Sequence, residues 1–343
     1  LYYNPAALHL LGWAQAGIDP RTLSYQERLA IYQMESIQGA PLMDANETLD
    51  VAHVQHLAEQ EWRLHRPDGS LVLISIHPAP IRDPLTGEVI GAVHVLRDVT
   101  LWRQNDAIKD EFMSIASHEL RAPLQPLLLA SRFVQRWIDR PERKAELHNL
   151  AEEIVRQTKR MGRLVLDMLD MTRIHAGRFT VQAALCDLAA IVRNVADEQH
   201  SVSQRDIIVS GIDKSMPILG ESERLWQALT NIIQNAIKYS VAPAPVSITV
   251  MACREHGSAW ARVAVTDRGC GIPPDHLPHL FERFYRAAVS YQVAPQQQDG
   301  LGLGLYIAHA IIDAHGGRLT ATSEVNVGST FTIDLPLAEA AGS

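Results

Sequence analysis

Almost no glycine interrupts the stretch from residue 101 to residue 176, and proline is scarce there too. A run of that length without loop residues forms long regular elements, and its apolar spacing decides which kind. Ala116, Leu120, Leu124, Leu127, Val134 and Ile138 recur at intervals of three, four or seven, the period of one helix face. Leu147, Leu150, Ile154, Met161, Val165 and Met168 repeat the habit, and Asp139-Arg140-Pro141 breaks the two stripes apart. A lone helical hairpin leaves much of its apolar surface wet. Two hairpins packed as a four-helix bundle cover it, so a homodimer is expected. His118 lies roughly 165° from the centre of the first stripe and therefore faces solvent.

Around this stem the chain divides into four zones: 1–100, 101–176, 177–338 and a tail, 339–343. Its 343 residues suggest two or three domains at about 150 residues each. With 47% hydrophobic and 20% charged residues the composition is globular, which excludes a disordered or collagen-like chain. The net charge of −8 and the lack of a basic patch speak against nucleic acid as a partner. Cys186, Cys253 and Cys270 are odd in number and lack metal-ligand spacing, the usage of a reduced, cytoplasmic compartment. No membrane segment is visible in this chain, since no run approaches the ~18 apolar residues of a span. No signal peptide is visible either. The opening at Leu1 reads as that of a fragment, which leaves membrane attachment upstream open.

The third zone alternates helices, strands and glycine-rich loops. Leu225, Leu229, Ile232 and Ala236 form one apolar helical stripe, with Asn231, Asn235 and Lys238 on another face. Asparagine is a mediocre helix former, so two of them a turn apart suggest a polar task. Val263 to Thr266 reads as a strand that runs into Asp267, Gly269, Gly271 and Ile272. A carboxylate there can accept from an amino group, and the glycines let backbone come close. Gly300, Leu301, Gly302, Leu303, Gly304 and Leu305 lead into a helix, an arrangement that offers backbone N–H groups to phosphate. Each motif alone is weak; their order is not.

The run from Phe112 to Leu124, with His118, Glu119 and Pro123, resembles the H box of sensor histidine kinases. Leu229 to Ser240 resembles the family's N box. Asp267 to Pro273 is similar to its G1 box, Phe281 to Arg286 to its F box and Gly300 to Ala308 to its G2 box, all in family order. The resemblance implies an α/β sandwich of the gyrase-like ATP-binding type for residues 177–338. It implies ATP and Mg²⁺ as cofactors, with Asn235 on the metal and Asn231 supporting it. Lys238, Tyr239 and Arg286 would approach the phosphates, Asp267 and Thr330 the adenine, and Ile272 would belong to the cofactor-binding set. Residues 287–299 would form a lid. His118 would be the phosphoacceptor and Glu119 would fix its tautomer and raise its nucleophilicity. The partner implied is the receiver domain of a response regulator. Where the family usually has Thr or Asn three residues past the acid, this chain has Ala122, which weakens the case for phosphatase activity.

Residues 1–100 resemble a PAS sensor domain lacking its first strand, with strands over Trp62–Leu64, Ser70–Ile76 and Glu88–Leu96 in an antiparallel meander. Its ligand or signal is unknown. No cysteine falls within it, which argues against flavin–thiol photochemistry, and His53, His56 and His94 read as surface or packing residues rather than haem ligands. The fold expected is thus multidomain α+β. Two further readings stand beside the kinase: a non-catalytic sensory adaptor, and an ATPase on the same fold.

Overall fold

The computed structural model describes residues 2–19, 22–23, 27, 34–37, 60–255, 257–286 and 301–338. His53, His56, Gly300 and the expected lid at 287–299 lie outside the described residues. The chain separates into two compact units, Leu1–Met113 and Ser114–Ser343. Among the described residues no helix is long and apolar enough to cross a membrane.

The first unit begins with two short helices, α1 (Pro5–Leu10) and α2 (Trp13–Ala16). The Asn4 carboxamide caps α1 by accepting from the Ala7 N–H at 2.8 Å. An antiparallel sheet follows in the order β1 (Met34–Ser36), β2 (Gln60–His65), β3 (Leu71–Arg82), β4 (Val89–Asp98). The expected meander is present, with a short fourth strand at its edge. Leu64, Val72, Ile74 and Ile76 face Leu11 and Trp13 in the core of this unit. At the exit, Asp98 accepts from the Thr100 N–H at 2.9 Å and so starts helix α3 (Thr100–Trp137).

Helix α3 and helix α4 (Lys144–His175) are joined by a 3-10 turn, Pro141–Arg143, at the expected breaker. The apolar stripe of α3 is narrower than its sequence suggests. Ala116 is buried, Leu120, Leu127 and Val134 are half-buried, and Leu124 is exposed. Ile138 is a correction: it lies past the helix end and in solvent. The buried seam is Ala116, Pro123 and Ala130, small or compact residues seven apart.

The remainder is an α/β sandwich. It contains β5 (Ala184–Asp187), α5 (Leu188–Ser203), β6 (Ile207–Ser210), β7 (Pro217–Gly220), α6 (Ser222–Tyr239), β8 (Val246–Glu255), β9 (Ser258–Thr266), α7 (Gly304–Ala314), β10 (Arg318–Glu324) and β11 (Gly328–Pro336). The main sheet runs β10-β11-β9-β8-β6, with β6 parallel to β8 and the other pairs antiparallel. Strands β8 and β9 bury alternate residues, Val246, Ile248 and Val250 on one and Ala261, Val263 and Val265 on the other. Ile232, Ile233, Ile307 and Ile311 of α6 and α7 complete that core. His315 locks the two helices together. Its Nδ1–H donates to the Ile311 carbonyl at 2.7 Å, which leaves Nε2 to accept from the Glu221 N–H at 3.0 Å, at the start of α6.

The buried face of β8 predicts an asymmetric response to truncation. Ile248→Ala, in the core, should cost about 2–5 kcal/mol in urea unfolding. Met251→Ala, on the exposed face, should cost less than about 0.5 kcal/mol.

Candidate functional site

Helix α6 aims its polar stripe into a cavity of about 240 Å³. Asn231, Asn235, Lys238 and Tyr239 line one wall. The Asn231 Nδ2 donates to the Gly304 carbonyl at 3.1 Å, which fixes the start of α7 against α6. Gly302, Leu303, Gly304 and Leu305 form the adjoining wall. The asparagine helix and the glycine loop, far apart in sequence, are thus two sides of one space. The Lys238 ammonium lies 5.1 Å from the centre of the Tyr239 ring, within cation–π range. Burial pushes the Tyr239 phenol up, opposed by the nearby Arg286 guanidinium. Arg286 itself lines the cavity, whereas Arg283 turns towards the end of α4, 3.5 Å from His175 Nδ1.

The floor is made by Asp267, Gly271 and Ile272. Asp267 follows the last residue of β9 and is only 4% exposed, yet its Oδ1 has no hydrogen-bond partner. Burial raises its carboxyl to about 6, opposed by the backbone N–H groups of Ser329 and Gly269. A buried, unsatisfied acceptor on a cavity wall suits a ligand that brings a donor. Gly269 is required by proximity: a Cβ there would sit 2.2 Å from the Tyr239 carbonyl oxygen. Gly271 is required by conformation as well, with φ of +66° and the Glu324 carbonyl 2.1 Å from any Cβ. Cys270 lines the same cavity as a free thiol, and burial pushes its pKa up, which fits a packing residue rather than a reactive one.

Thr330 is not among the residues that line the cavity. Neighbours on a strand alternate, so Ser329 and Phe331 line the cavity while the Thr330 hydroxyl pairs with that of Thr266 at 3.0 Å. The sequence reading also missed two residues of the stem, Leu164 and Asp167, which lie on the cavity wall. Burial and repulsion from Asp170 raise Asp167 to about 6, opposed by Arg163. One turn on, Asp170 is 4% exposed and accepts from Arg224 at 2.7 Å and Gln227 at 2.9 Å, both on α6. The available signal was a pair of acids three apart within the apolar run of α4, which marks a polar contact on a buried face.

His118 does not reach this cavity. Its side chain is 80% exposed on α3, as the helical arithmetic requires. The Glu119 carboxylate, 15% exposed, lies 3.5 Å from His118 Nδ1. That contact leaves Nε2 as the nitrogen open to a reactant.

Residues 108–177 match the His Kinase A (phospho-acceptor) domain, and residues 220–339 match the Histidine kinase-, DNA gyrase B-, and HSP90-like ATPase. Among curated relatives, sensor histidine kinase YkoH of Bacillus subtilis is 35% identical over 66% of this chain and 47% of its own length. Sensor histidine kinase RppB of Synechocystis is 33% identical over 67% of this chain and 49% of its own. The chain spans about half the length of these relatives. Among solved structures, the Acinetobacter baumannii histidine kinase AdeS is 23% identical, with a TM-score of 0.48 over 65% of this chain and 98% of that one.

The raised Asp267 carboxyl gives the fold a pH dependence of definite sign. The folded chain holds this proton up to about 6, the unfolded chain only up to the ordinary 3.8. Stability therefore falls as pH rises through that window and is flat above it. Asp167, raised to about 6 as well, adds a fall of its own in the same window, so Asp267→Asn should remove only the Asp267 share, and the variant gains on the parent between pH 4 and 6 in paired denaturation curves.

Proposed function

Since the chain belongs to the sensor histidine kinases of two-component systems, by its phospho-acceptor and ATPase domains, we propose that it moves the γ-phosphoryl group of ATP to His118 and then to an aspartate of a separate response regulator. The observation that carries this reading is the convergence of the asparagine helix, the glycine loop and the unsatisfied Asp267 on one cavity, in the compact unit that also bears the exposed His118. Asp267 Oδ1 takes the adenine amino group. Lys238 and Arg286 take the phosphates, with Asn231 holding the glycine loop beside them.

The Asn235 carboxamide suits Mg²⁺, a hard cation that completes its shell with phosphate oxygens and water. When bound, the ion neutralises charge on the phosphates. The chain's own part is positioning. Glu119 holds the proton on Nδ1, so the Nε2 lone pair attacks phosphorus. A P–N bond forms as the P–O bond to ADP breaks, and the developing imidazolium is balanced by Glu119. Transfer to the regulator reverses the roles, with a carboxylate oxygen attacking phosphorus.

Dimerisation follows from the stem. Leu128, Leu129, Leu166 and Leu169 stay exposed on α3 and α4, and a second copy that completes a four-helix bundle covers such surface. Leu128→Glu/Leu166→Glu should shift the chain to monomer in sedimentation equilibrium. The front unit acts as a PAS-like sensor whose antiparallel sheet and exit helix bias the stem between arrangements.

Labelling with γ-³²P-ATP tests the central step. Acid-labile, base-stable label on the chain, lost in His118→Gln and reduced at least about 100-fold in Asn235→Ala, is expected. Free phosphate without protein label would favour an ATPase, and neither would favour an adaptor. Ala122 lacks a side chain that could position water, so added chain should not accelerate loss of phosphate from a purified phosphorylated regulator.

A further inference from the structure

The segment that reaches the cavity at Tyr285 and Arg286 begins as a 3-10 turn, Pro274–His279. With three residues per turn, side chains at i and i+3 stand one above the other. His276 and His279 have that spacing, and both rings face Tyr285, with centroids 6.0 and 5.5 Å from that of the phenol ring. His276 Nδ1 and the Tyr285 hydroxyl are joined by a hydrogen bond. His279 is fixed separately, its Nδ1 lying 2.8 Å from the Glu282 carboxylate. Leu280 is buried on the cavity wall, and Phe281 packs on the His309 ring of α7 at 5.2 Å. The chain then turns at Phe284, whose φ of +59° is one that a bulky residue rarely adopts. The turn lies against the glycine loop, for a Cβ on Gly302 would sit 2.8 Å from the Phe284 carbonyl carbon.

From this arrangement we propose that His276 is a positioning residue of the nucleotide site: its hydrogen bond to Tyr285 holds the Phe284 turn, and so keeps the Arg286 guanidinium at the phosphate end of the cavity. The inference rests on the nucleotide reading of the cavity. A left-handed residue other than glycine persists only where its surroundings over-determine it. Leu280 and Phe281 anchor the chain before the turn, and the phenol–imidazole bond ties it back to the 3-10 turn afterwards. Tyr285 is the direct neighbour of Arg286, so the bond restrains the guanidinium through one peptide unit. A side chain that is already restrained has less freedom to lose when it grips a ligand. The Asp267 end of the cavity is built from β9 and the glycines after it, and it does not depend on this bond. The effect of His276 therefore falls on the phosphates and spares the base.

The test is an equilibrium titration of the full chain with two ligands, a non-hydrolysable ATP analogue with Mg²⁺ and adenosine, which has no phosphate. His276→Phe keeps a ring and loses the bond. It should weaken the analogue by about fivefold, the scale of one hydrogen bond, and leave adenosine unchanged. Tyr285→Phe is the milder change and should do the same, and the double variant should be no weaker than either single one. His276→Asn, whose carboxamide places a polar atom near the position of Nδ1, should recover part of the loss. Equal weakening of both ligands would overturn the proposal, since His276 would then only support the fold. So would additive losses in the double variant. Unchanged analogue binding in both His276→Phe and Tyr285→Phe would overturn it too, while leaving the nucleotide reading in place. Failure of the parent chain to bind the analogue would overturn the nucleotide reading itself, and the proposal with it.

Discussion

The 18 residues of α6 have to satisfy a core and a cavity at once. Leu225, Leu229, Ile232, Ile233 and Ala236 are buried against the sheet and its neighbouring helices. The opposite stripe has to remain polar, because it bounds a space meant for something other than protein. An amphipathic helix normally shows its polar side to water. Here that side is divided between the cavity and the stem, and the placing of both depends on the rotation of one helix. The His315 contact between Ile311 and Glu221 fixes that rotation at the N-terminal end, and the Asn231–Gly304 bond fixes it in the middle.

Much of this was legible in the sequence, because it rests on period and on glycine. The stem helices follow from apolar spacing, and the exposure of His118 follows from an angle. The convergence of α6 with the glycine loop was readable from motif order. What spacing could not supply was the side of a strand. Thr330 and Ser329 are equally plausible as letters, and only the register that pairs Thr330 with Thr266 decides between them. Nor could spacing foretell contacts between elements distant in sequence. Asp167 and Asp170 sit within an apolar run, and their meaning depends on Arg224, 54 positions from Asp170. The α3 stripe also misled in part, since Pro123 takes a buried place that a rule built on large apolar residues passes over.

The contacts between stem and sandwich are polar where they are best defined. A buried carboxylate held by a guanidinium and an amide adds little net stability, because desolvation offsets most of the attraction. The same contact is specific in geometry and is undone by losing one partner. An apolar interface of similar size would hold more tightly and would separate less readily. That balance contrasts with the dry packing of Ile232, Ile248 and Val263 inside the sandwich.

As the proposed partner of the adenine amino group, the unsatisfied oxygen of Asp267 would have a consequence for discrimination among bases. A purine bearing an exocyclic amine supplies the missing proton. A purine bearing a carbonyl there would bring oxygen against oxygen in a place sealed from water, with no alternative donor for either. Rejection of the wrong base then arises from an unpaired buried group rather than from any loss of fit in size, and such rejection is steep. Guanine nucleotides, abundant alongside adenine nucleotides, would be refused by a single carboxylate.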